Sequence, residues 1–486
     1  MLLDVLARHV RERGERPFLR HGGRTVSYGE LDRLTNRAAH ALAARGVVKG
    51  DRVTLAHGNA VEYVVAALGV LKAGAILNPV NPALGAAELS YVLDHADPRV
   101  VVTDASSDEK LRALGRTTVL GRALVDGGSE TPPAVQVQPG DHSTLLYTSG
   151  TTGKPKGVLF THSRTGTSGP HFIERLGLTP DDTILAVTPL FHGNAWGAVT
   201  TALYAGSTAA FAKTFSASEF WPLVHEVRAT VLYTLGTVLA MLLTREPSAL
   251  ERSSPLRVIL GLGAAPIRER VLERFGVAAV LECFGSTDAG VVTIEPLGAA
   301  PRQGSCGPAV PGVAIEVVDE AGAVLPPRGV GEILVRSPAM MAAYYKDPDE
   351  TATALHGGWF HSGDLGWLDE DGWLYFVDRK RDVIRRGGEN VSSVLVEKTL
   401  REHPHVSDVA VIGVPDPVLG QEIKAFVVAR RPVSEDALRA FAAERLAKFQ
   451  VPRLWEFRDA LPKTPTERVE KYKLREGGGR RGGPLG

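Results

Sequence analysis

The sequence predicts an α/β protein with a large N-terminal domain of parallel-rich sheets and helices, a small β-barrel-like part, and a small α+β C-terminal domain. Three observations predict it. Apolar strand-like and helix-like segments alternate in a βαβ rhythm through the first half of the chain. The rhythm gives way over Gly298 to Ser337 to short β runs punctuated by Gly and Pro, which suit antiparallel pieces or a barrel. A charged cluster, Asp378-Arg-Lys-Arg-Asp382, then sets off roughly a hundred residues, enough for an independent core.

The elements follow in order. Leu2, Leu3, Leu6 and Val10 recur at helical spacing among charges, so Met1 to Arg13 reads as an amphipathic helix rather than a signal peptide. Ser27-Tyr-Gly-Glu30 has the form of a capping box and opens a helix that ends near Gly46. Arg52 to Ala56 is a strand, Val61 to Lys72 a helix stopped by Gly74, and Ala75 to Leu77 the next strand. The segment Asp104 to Asp141 carries no readable pattern. Ala229 to Thr234, Gly236 to Arg245 and Arg257 to Leu260 repeat the strand–helix–strand unit. Ala314 to Val318 and Gly331 to Val335 are the short β runs, and Trp373 to Val377 is a strand before the charged cluster. Beyond it come a helix at Ser393 to Glu402, strands at Ser407 to Val414 and Glu422 to Ala429, and a helix at Ser434 to Leu446. The Gly/Arg-rich end, Gly477 to Gly486, reads as disordered.

Composition narrows the function. Hydrophobic residues make up 44% and charged residues 23%, an ordinary globular balance. Lys+Arg and Asp+Glu are equal at 55 each, which gives no support to a nucleic-acid or anionic-membrane partner. Two cysteines, Cys283 and Cys306, exclude a disulfide framework and favour a reducing, cytoplasmic location. No apolar run approaches the roughly 18 residues that span a bilayer.

The most informative stretch is Tyr147-Thr-Ser-Gly-Thr-Thr-Gly-Lys-Pro-Lys-Gly157. Its glycines let backbone N–H groups approach an anion, and its hydroxyls and lysines add donors and charge. It reads as a polyphosphate cradle after a short buried strand, Ser143 to Tyr147. It is not a Walker P-loop, because Gly150 and Gly153 are too close and Pro155 follows Lys154.

This stretch resembles the phosphate loop of the adenylate-forming enzymes: acyl-CoA synthetases, peptide-synthetase adenylation domains and luciferases. Pro189-Leu-Phe-His192, Gly263-Ala-Ala-Pro266, Phe284-Gly-Ser-Thr-Asp288, His361-Ser-Gly-Asp-Leu365, Asp378-Arg379, Gly387-Gly-Glu-Asn390 and Leu461-Pro-Lys-Thr464 are similar to the family's later motifs, in the family's order. The resemblance implies a division into an AMP-binding and acyl-pocket domain at 1–378, a hinge at 379–382, a mobile C-terminal lid at 383–476 and a tail at 477–486.

It also implies a two-step reaction with ATP, Mg²⁺ and coenzyme A: a carboxylate attacks the α-phosphate, then a thiol displaces AMP. Thr148, Ser149, Gly150, Thr151, Thr152, Gly153, Lys154 and Lys156 would hold the β- and γ-phosphates, with Thr151 also near the metal. Gly263, Ala264, Ala265, Pro266 and Phe284 would frame the adenine, and Gly285 and Ser286 would also belong to the ATP site. Asp364 would accept from the ribose hydroxyls, as a pure acceptor suits a vicinal diol, and Arg379 would support the sugar. Thr287 would contact the α-phosphate. His192, Asn194, Trp196 and Gly285 would shape the acid pocket. No Asp stands beside His192 to bind an α-amine, and Gly285 stands where acetate-specific relatives carry a Trp, so the expected acid is medium-sized or aromatic. Gly387, Gly388 and Glu389 would meet the pantetheine arm, with Arg381 at the hinge.

Two positions depart from the family pattern. Asp288 replaces the usual metal-binding Glu and is one methylene shorter. Arg468, in Thr466-Glu467-Arg468, replaces the adenylation lysine; Lys463, Lys471 and Lys473 stand nearby. An Arg keeps the charge but spreads it over a planar fork. These departures keep three readings open: an acid:CoA ligase; an adenylating enzyme with another acceptor or acid, such as a carrier-protein thiol or nitrite for diazotising an aryl amine; and a nucleotide binder without turnover. A homodimer is compatible with all three.

Overall fold

The structure, a computed structural model, describes residues 1–148, 155–380, 382–386, 389–416, 418–463 and 469–477. They form two compact units, Met1–Ile315 with Val335–Phe360, and Glu316–Leu334 with His361–Gly486. The fold is mixed α/β, with the larger sheets in the N-terminal part and a smaller α+β assembly towards the C-terminus.

The first unit contains two seven-stranded sheets. One runs in the order Ala279–Leu281, Val258–Leu262, Val231–Leu235, Thr183–Ala186, Thr208–Phe211, Pro17–His21, Arg24–Ser27, parallel except for the last pairing. Its central strands are apolar at nearly every position, as strands covered on both faces must be. The other runs Ala343–Tyr344, Lys156–Thr161, His142–Thr148, Ile76–Pro79, Arg52–Ala56, Val100–Thr103, Thr118–Leu120. One hydrophobic cluster joins Leu55 and Leu77 of this sheet to Ile184 and Tyr233 of the other, with Leu31, Leu42, Val64 and Leu68 supplied by helices. Those helices are Tyr28–Ala43 and Val61–Lys72. The first is capped as its sequence requires, with Ser27 Oγ accepting from the Glu30 N–H at 3.2 Å.

Strand order decides where a site forms. From Thr183–Ala186 the chain crosses to Thr208–Phe211 on one side, then returns to Val231–Leu235 on the other. The loops leaving Ala186 and Leu235 therefore diverge and leave a crevice at the carboxyl ends of adjacent parallel strands. His192 and Gly236 stand at the start of those divergent connections.

The second unit includes a sheet of residues 316–318, 331–334, 361–368 and Leu374–Arg379, the last two pairing antiparallel. It also holds the long hairpin of Val406–Asp416 with Gly420–Ala429, packed by the helices Ser393–Arg401 and Glu435–Ala443. Val396, Leu400, Val411, Ile423 and Leu438 form its core. Asp378 is buried at the head of the first helix, where Oδ2 accepts from Ser393 N at 2.7 Å and Ser393 Oγ at 2.9 Å. A carboxylate at a helix N-terminus satisfies free N–H groups and meets the positive end of the helix dipole. Among the described residues, no helix is long and apolar enough to cross a membrane.

Candidate active site

The glycine-rich stretch joins two antiparallel strands, His142–Thr148 and Lys156–Thr161, with Thr148 opposite Lys156. The expected phosphate ligands Ser149, Gly150, Thr151, Thr152, Gly153 and Lys154 lie outside the described residues. Both roots of the loop are held. Tyr147 Oη is hydrogen-bonded to His95 Nδ1 at 2.7 Å. Lys156 Nζ pairs with Glu350 and lies 5.3 Å from the centroid of the Tyr344 ring. Tyr344 Oη in turn donates to Asp288 Oδ1 at 2.6 Å. The cation and the carboxylate expected at a metal–polyphosphate therefore flank one tyrosine.

Asp288 lies in the turn of a tight hairpin, Cys283–Ser286 with Gly290–Ile294. Ser286 Oγ accepts from Ala289 N at 3.1 Å, and the Asp288 carbonyl accepts from Met341 N at 2.7 Å, so the turn bearing Thr287 and Asp288 is tied at both sides. Phe284 is half-buried opposite Thr293. Gly285 is required by the hairpin itself: a Cβ there would lie 2.4 Å from the Gly290 carbonyl oxygen. The single carboxylate of Asp288 is a donor of the kind that suits Mg²⁺, a hard cation usually held by one or two carboxylates plus phosphate oxygens. The described residues contain no cluster of three or more His, Cys, Asp or Glu that could hold a metal unaided.

The Gly263-Ala-Ala-Pro266 turn leaves the strand Val258–Leu262 with Gly263 at φ +78°. It is pressed by Gly236, where a Cβ would meet the Gly263 carbonyl oxygen at 2.2 Å. From the other direction Glu282 accepts from its backbone. Ala264 is fully buried and Ala265 is half-buried.

His192 caps the helix Gly193–Ala205. Burial pushes its imidazole down to about 4, so it is neutral at physiological pH. Its Nε2 is buried with no hydrogen-bond partner among the described residues. It can offer a hydrogen bond or a wall to a ligand, but not a positive charge. Asn194 Oδ1 accepts from Thr188 Oγ1 at 3.1 Å, and its Nδ2 reaches the Thr234 carbonyl at 3.5 Å. Trp196 stands edge-on to Tyr63 with ring centroids 6.2 Å apart.

Reading the sequence missed Asn59, which clamps the loop between Ala186 and His192. Its Nδ2 donates to the carbonyls of Thr188 at 3.1 Å and Ala212 at 2.8 Å, and its Oδ1 accepts from Leu190 N at 2.7 Å. Every polar atom of a buried amide is thereby used on the loop between Ala186 and His192 or the adjacent strand end. Removing it strands three buried backbone groups, each worth about 1 kcal/mol. We expect Asn59→Ala to lower kcat/KM for the acid by about tenfold or more while KM for ATP changes little. Initial rates with each substrate varied in turn check this, and equal losses for both substrates would show a general defect instead.

In the second unit, Asp364 and Arg379 are cross-strand neighbours, with Arg379 Nε 3.3 Å from Asp364 Oδ1. Gly363, at φ +65°, turns the strand just before them and its carbonyl accepts from Lys380 N at 2.9 Å. The two residues expected at the ribose are thus brought together. Glu389 is exposed; Gly387, Gly388 and Arg381 lie outside the described residues, as does Arg468. The neighbouring lysines have other work. Lys463 pairs with Asp408 at 2.8 Å, Lys471 with Glu397 at 2.8 Å and Ser393 at 2.6 Å, and Lys473 with Glu470 at 2.5 Å.

Comparison with known proteins gives the family. Residues 6–345 match the family described as AMP-binding enzyme, and residues 395–468 match the AMP-binding enzyme C-terminal domain. The chain is 33% identical to the fatty acid–acyl-carrier-protein ligase ScoC of Streptomyces coeruleorubidus, covering 98% of this chain and 96% of that one. It is 34% identical to a feruloyl-CoA synthase of an Amycolatopsis species, covering 94% and 95%. Among solved structures, ATP-bound MatB from Rhodopseudomonas palustris superposes with a TM-score of 0.90 at 30% identity, covering 98% of this chain and 99% of that one.

Proposed function

This chain belongs to the AMP-binding enzyme family, and on that premise we propose that it is a cytoplasmic, AMP-forming acid:CoA ligase for a medium-sized or aromatic carboxylic acid. The observation that carries the reading is the coverage: relatives that join acids to thiols match this chain over nearly its whole length, through both family segments.

The residues then divide the work. Thr148 to Lys156 cradle the β- and γ-phosphates, and Thr287 faces the α-phosphate. Gly263 to Ala265 and Phe284 to Ser286 frame the adenine. Asp364 and Arg379 hold the ribose. Asp288, with Thr151, would hold Mg²⁺, which supplies charge neutralisation to the polyphosphate when bound. The acid enters beside His192, Asn194 and Trp196, where the neutral imidazole leaves its carboxylate nucleophilic. Such transfers ask the protein mainly for positioning and for charge placed where it develops. Arg468 supplies that charge in the first step. Gly387 to Glu389 then guide the pantetheine arm of CoA in the second.

A carrier-protein thiol is the second reading for the acceptor, and the ScoC relative favours it specifically. The deciding experiment measures pyrophosphate release across a panel of acids, and with nitrite plus aryl amines, each with CoA, with a carrier protein or with neither. Acid-dependent release with CoA consumed supports the proposal. Release that needs nitrite, or none at all, would contradict it. The 379–382 hinge has its own test. Arg381→Pro fixes φ and restricts rotation, so pyrophosphate exchange is expected to persist while thioester formation falls about tenfold or more, by analogy with other lid-limited steps. Equal loss of both half-reactions counts against a hinge.

A further inference from the structure

We propose that Glu282 is a positioning residue for nucleotide binding, its carboxylate gripping the Gly263–Pro266 loop in the shape that receives adenine. The proposal rests on the reading of that loop as the adenine frame. Oε1 accepts from Gly263 N at 2.7 Å and Oε2 from Ala265 N at 3.0 Å, so one side chain holds the backbone on both sides of Ala264. Oε1 also accepts from Cys283 N at 3.2 Å, the residue that leads into Phe284. Two segments expected to meet the same ring are therefore fixed to a single carboxylate. Gly236 also packs against the loop, where a Cβ would lie 2.2 Å from the Gly263 carbonyl oxygen.

Only an ionised carboxylate accepts at both oxygens without offering a proton of its own. Glu282 is 4% exposed, and its oxygens accept from the backbone N–H groups of Gly263, Ala265 and Cys283. A proton on either oxygen would face a donor and release that side of the loop. The charged and titratable groups around it oppose one another. Glu295, at the head of the loop after Gly290–Ile294, accepts from Glu282 N at 2.8 Å and adds a like charge. Arg268 of the helix Arg268–Phe275 is committed to Glu295. Cys283 beside it, with Cys306 nearby, is a free thiol whose ionisation burial disfavours. Burial raises the Glu282 carboxyl to about 7, against the pull of its three backbone N–H donors. The grip is complete above that pH and is lost as pH falls through it. Nucleotide affinity follows the same direction, because binding favours the ionised, gripped loop.

Adenosine is the right probe, since it carries no phosphate and does not titrate near neutral pH. Its inhibition constant against ATP is measured from about pH 6 to pH 8 in the parent, in Glu282→Gln and in Ala265→Val. In the parent, adenosine should bind several-fold more weakly at the acid end. Glu282→Gln should weaken it about tenfold at pH 8, remove the pH dependence and leave KM for the acid unchanged, a split that general loss of structure would not give. Should Glu282→Gln fail to fold, the parent's profile decides, and a flat profile overturns the proposal. If Ala265→Val weakens adenosine but Glu282→Gln binds it as the parent does, Glu282 does not position the loop. If Ala265→Val also leaves adenosine unaffected, the loop is not the adenine frame, and the underlying reading fails instead.

Discussion

Arg468→Ala is expected to slow acyl-adenylate formation by about a hundredfold or more, equivalent to about 2.7 kcal/mol of transition-state stabilisation. As the acid attacks, negative charge builds on the α-phosphate oxygens, and a cation fixed there acts more strongly on the transition state than on bound substrate. The family resemblance places that cation in Thr464 to Leu474. Within this segment and beside it, Lys463, Lys471 and Lys473 each pair with a carboxylate of the C-terminal unit. The proposed role therefore rests on the resemblance, which aligns Arg468 with the family lysine. Thioester formation from a supplied acyl adenylate should stay near the parent's rate. Arg468→Lys separates charge from geometry: it keeps appreciable activity if charge alone matters, and loses most of it if the planar fork grips two oxygens. Single-turnover rates for each half-reaction measure all of this. An Arg468→Ala enzyme that adenylates as fast as the parent would reassign the role.

Asp364→Ala is expected to raise KM for ATP by about tenfold to a hundredfold, the loss of a charge-assisted hydrogen bond of roughly 1.5–3 kcal/mol. Asp364 is only 5% exposed, yet the side chain of its partner Arg379 is 29% exposed, so removing the carboxylate leaves a cation that water can reach. Thermal unfolding should therefore shift little. Steady-state kinetics with ATP varied, beside a melting curve, check both halves. An unchanged KM removes Asp364 from the ribose site.

The parts of the fold that could be read from sequence are those where local pattern and tertiary burial agree. Arg52–Ala56 and Val61–Lys72 begin and end where apolar runs and Gly74 placed them, and the Ser27 cap forms. Asp104 to Asp141 defied reading for a physical reason. Its helix, Ala105–Ala113, buries only Ser107 and Leu111, and its strand, Thr118–Leu120, is three residues long. So little apolar surface leaves no periodicity to detect. The site divides likewise. Motif residues such as Asp364 and Arg379 were legible and do stand together across one hairpin. Asn59, Glu282, Tyr344 and Glu350 were not, because their work lies in contacts to distant segments. Asn59 meets Leu190 across 131 positions and Glu350 meets Lys156 across 194. Gly285 was read as part of the nucleotide site and as an opening in the acid pocket, whereas the hairpin it belongs to leaves no room for a side chain there.

The central claim is that this chain joins an acid to AMP before passing it to a thiol. The most direct measurement supplies an accepted acid with heavy oxygen in its carboxylate, together with ATP and CoA, and weighs the nucleotide released. Attack of the carboxylate on the α-phosphate carries one of its oxygens into AMP when the thiol displaces the acyl group. AMP heavier by one labelled oxygen for each thioester formed is expected, with unlabelled pyrophosphate. Unlabelled AMP, or label appearing in inorganic phosphate beside ADP, would contradict it.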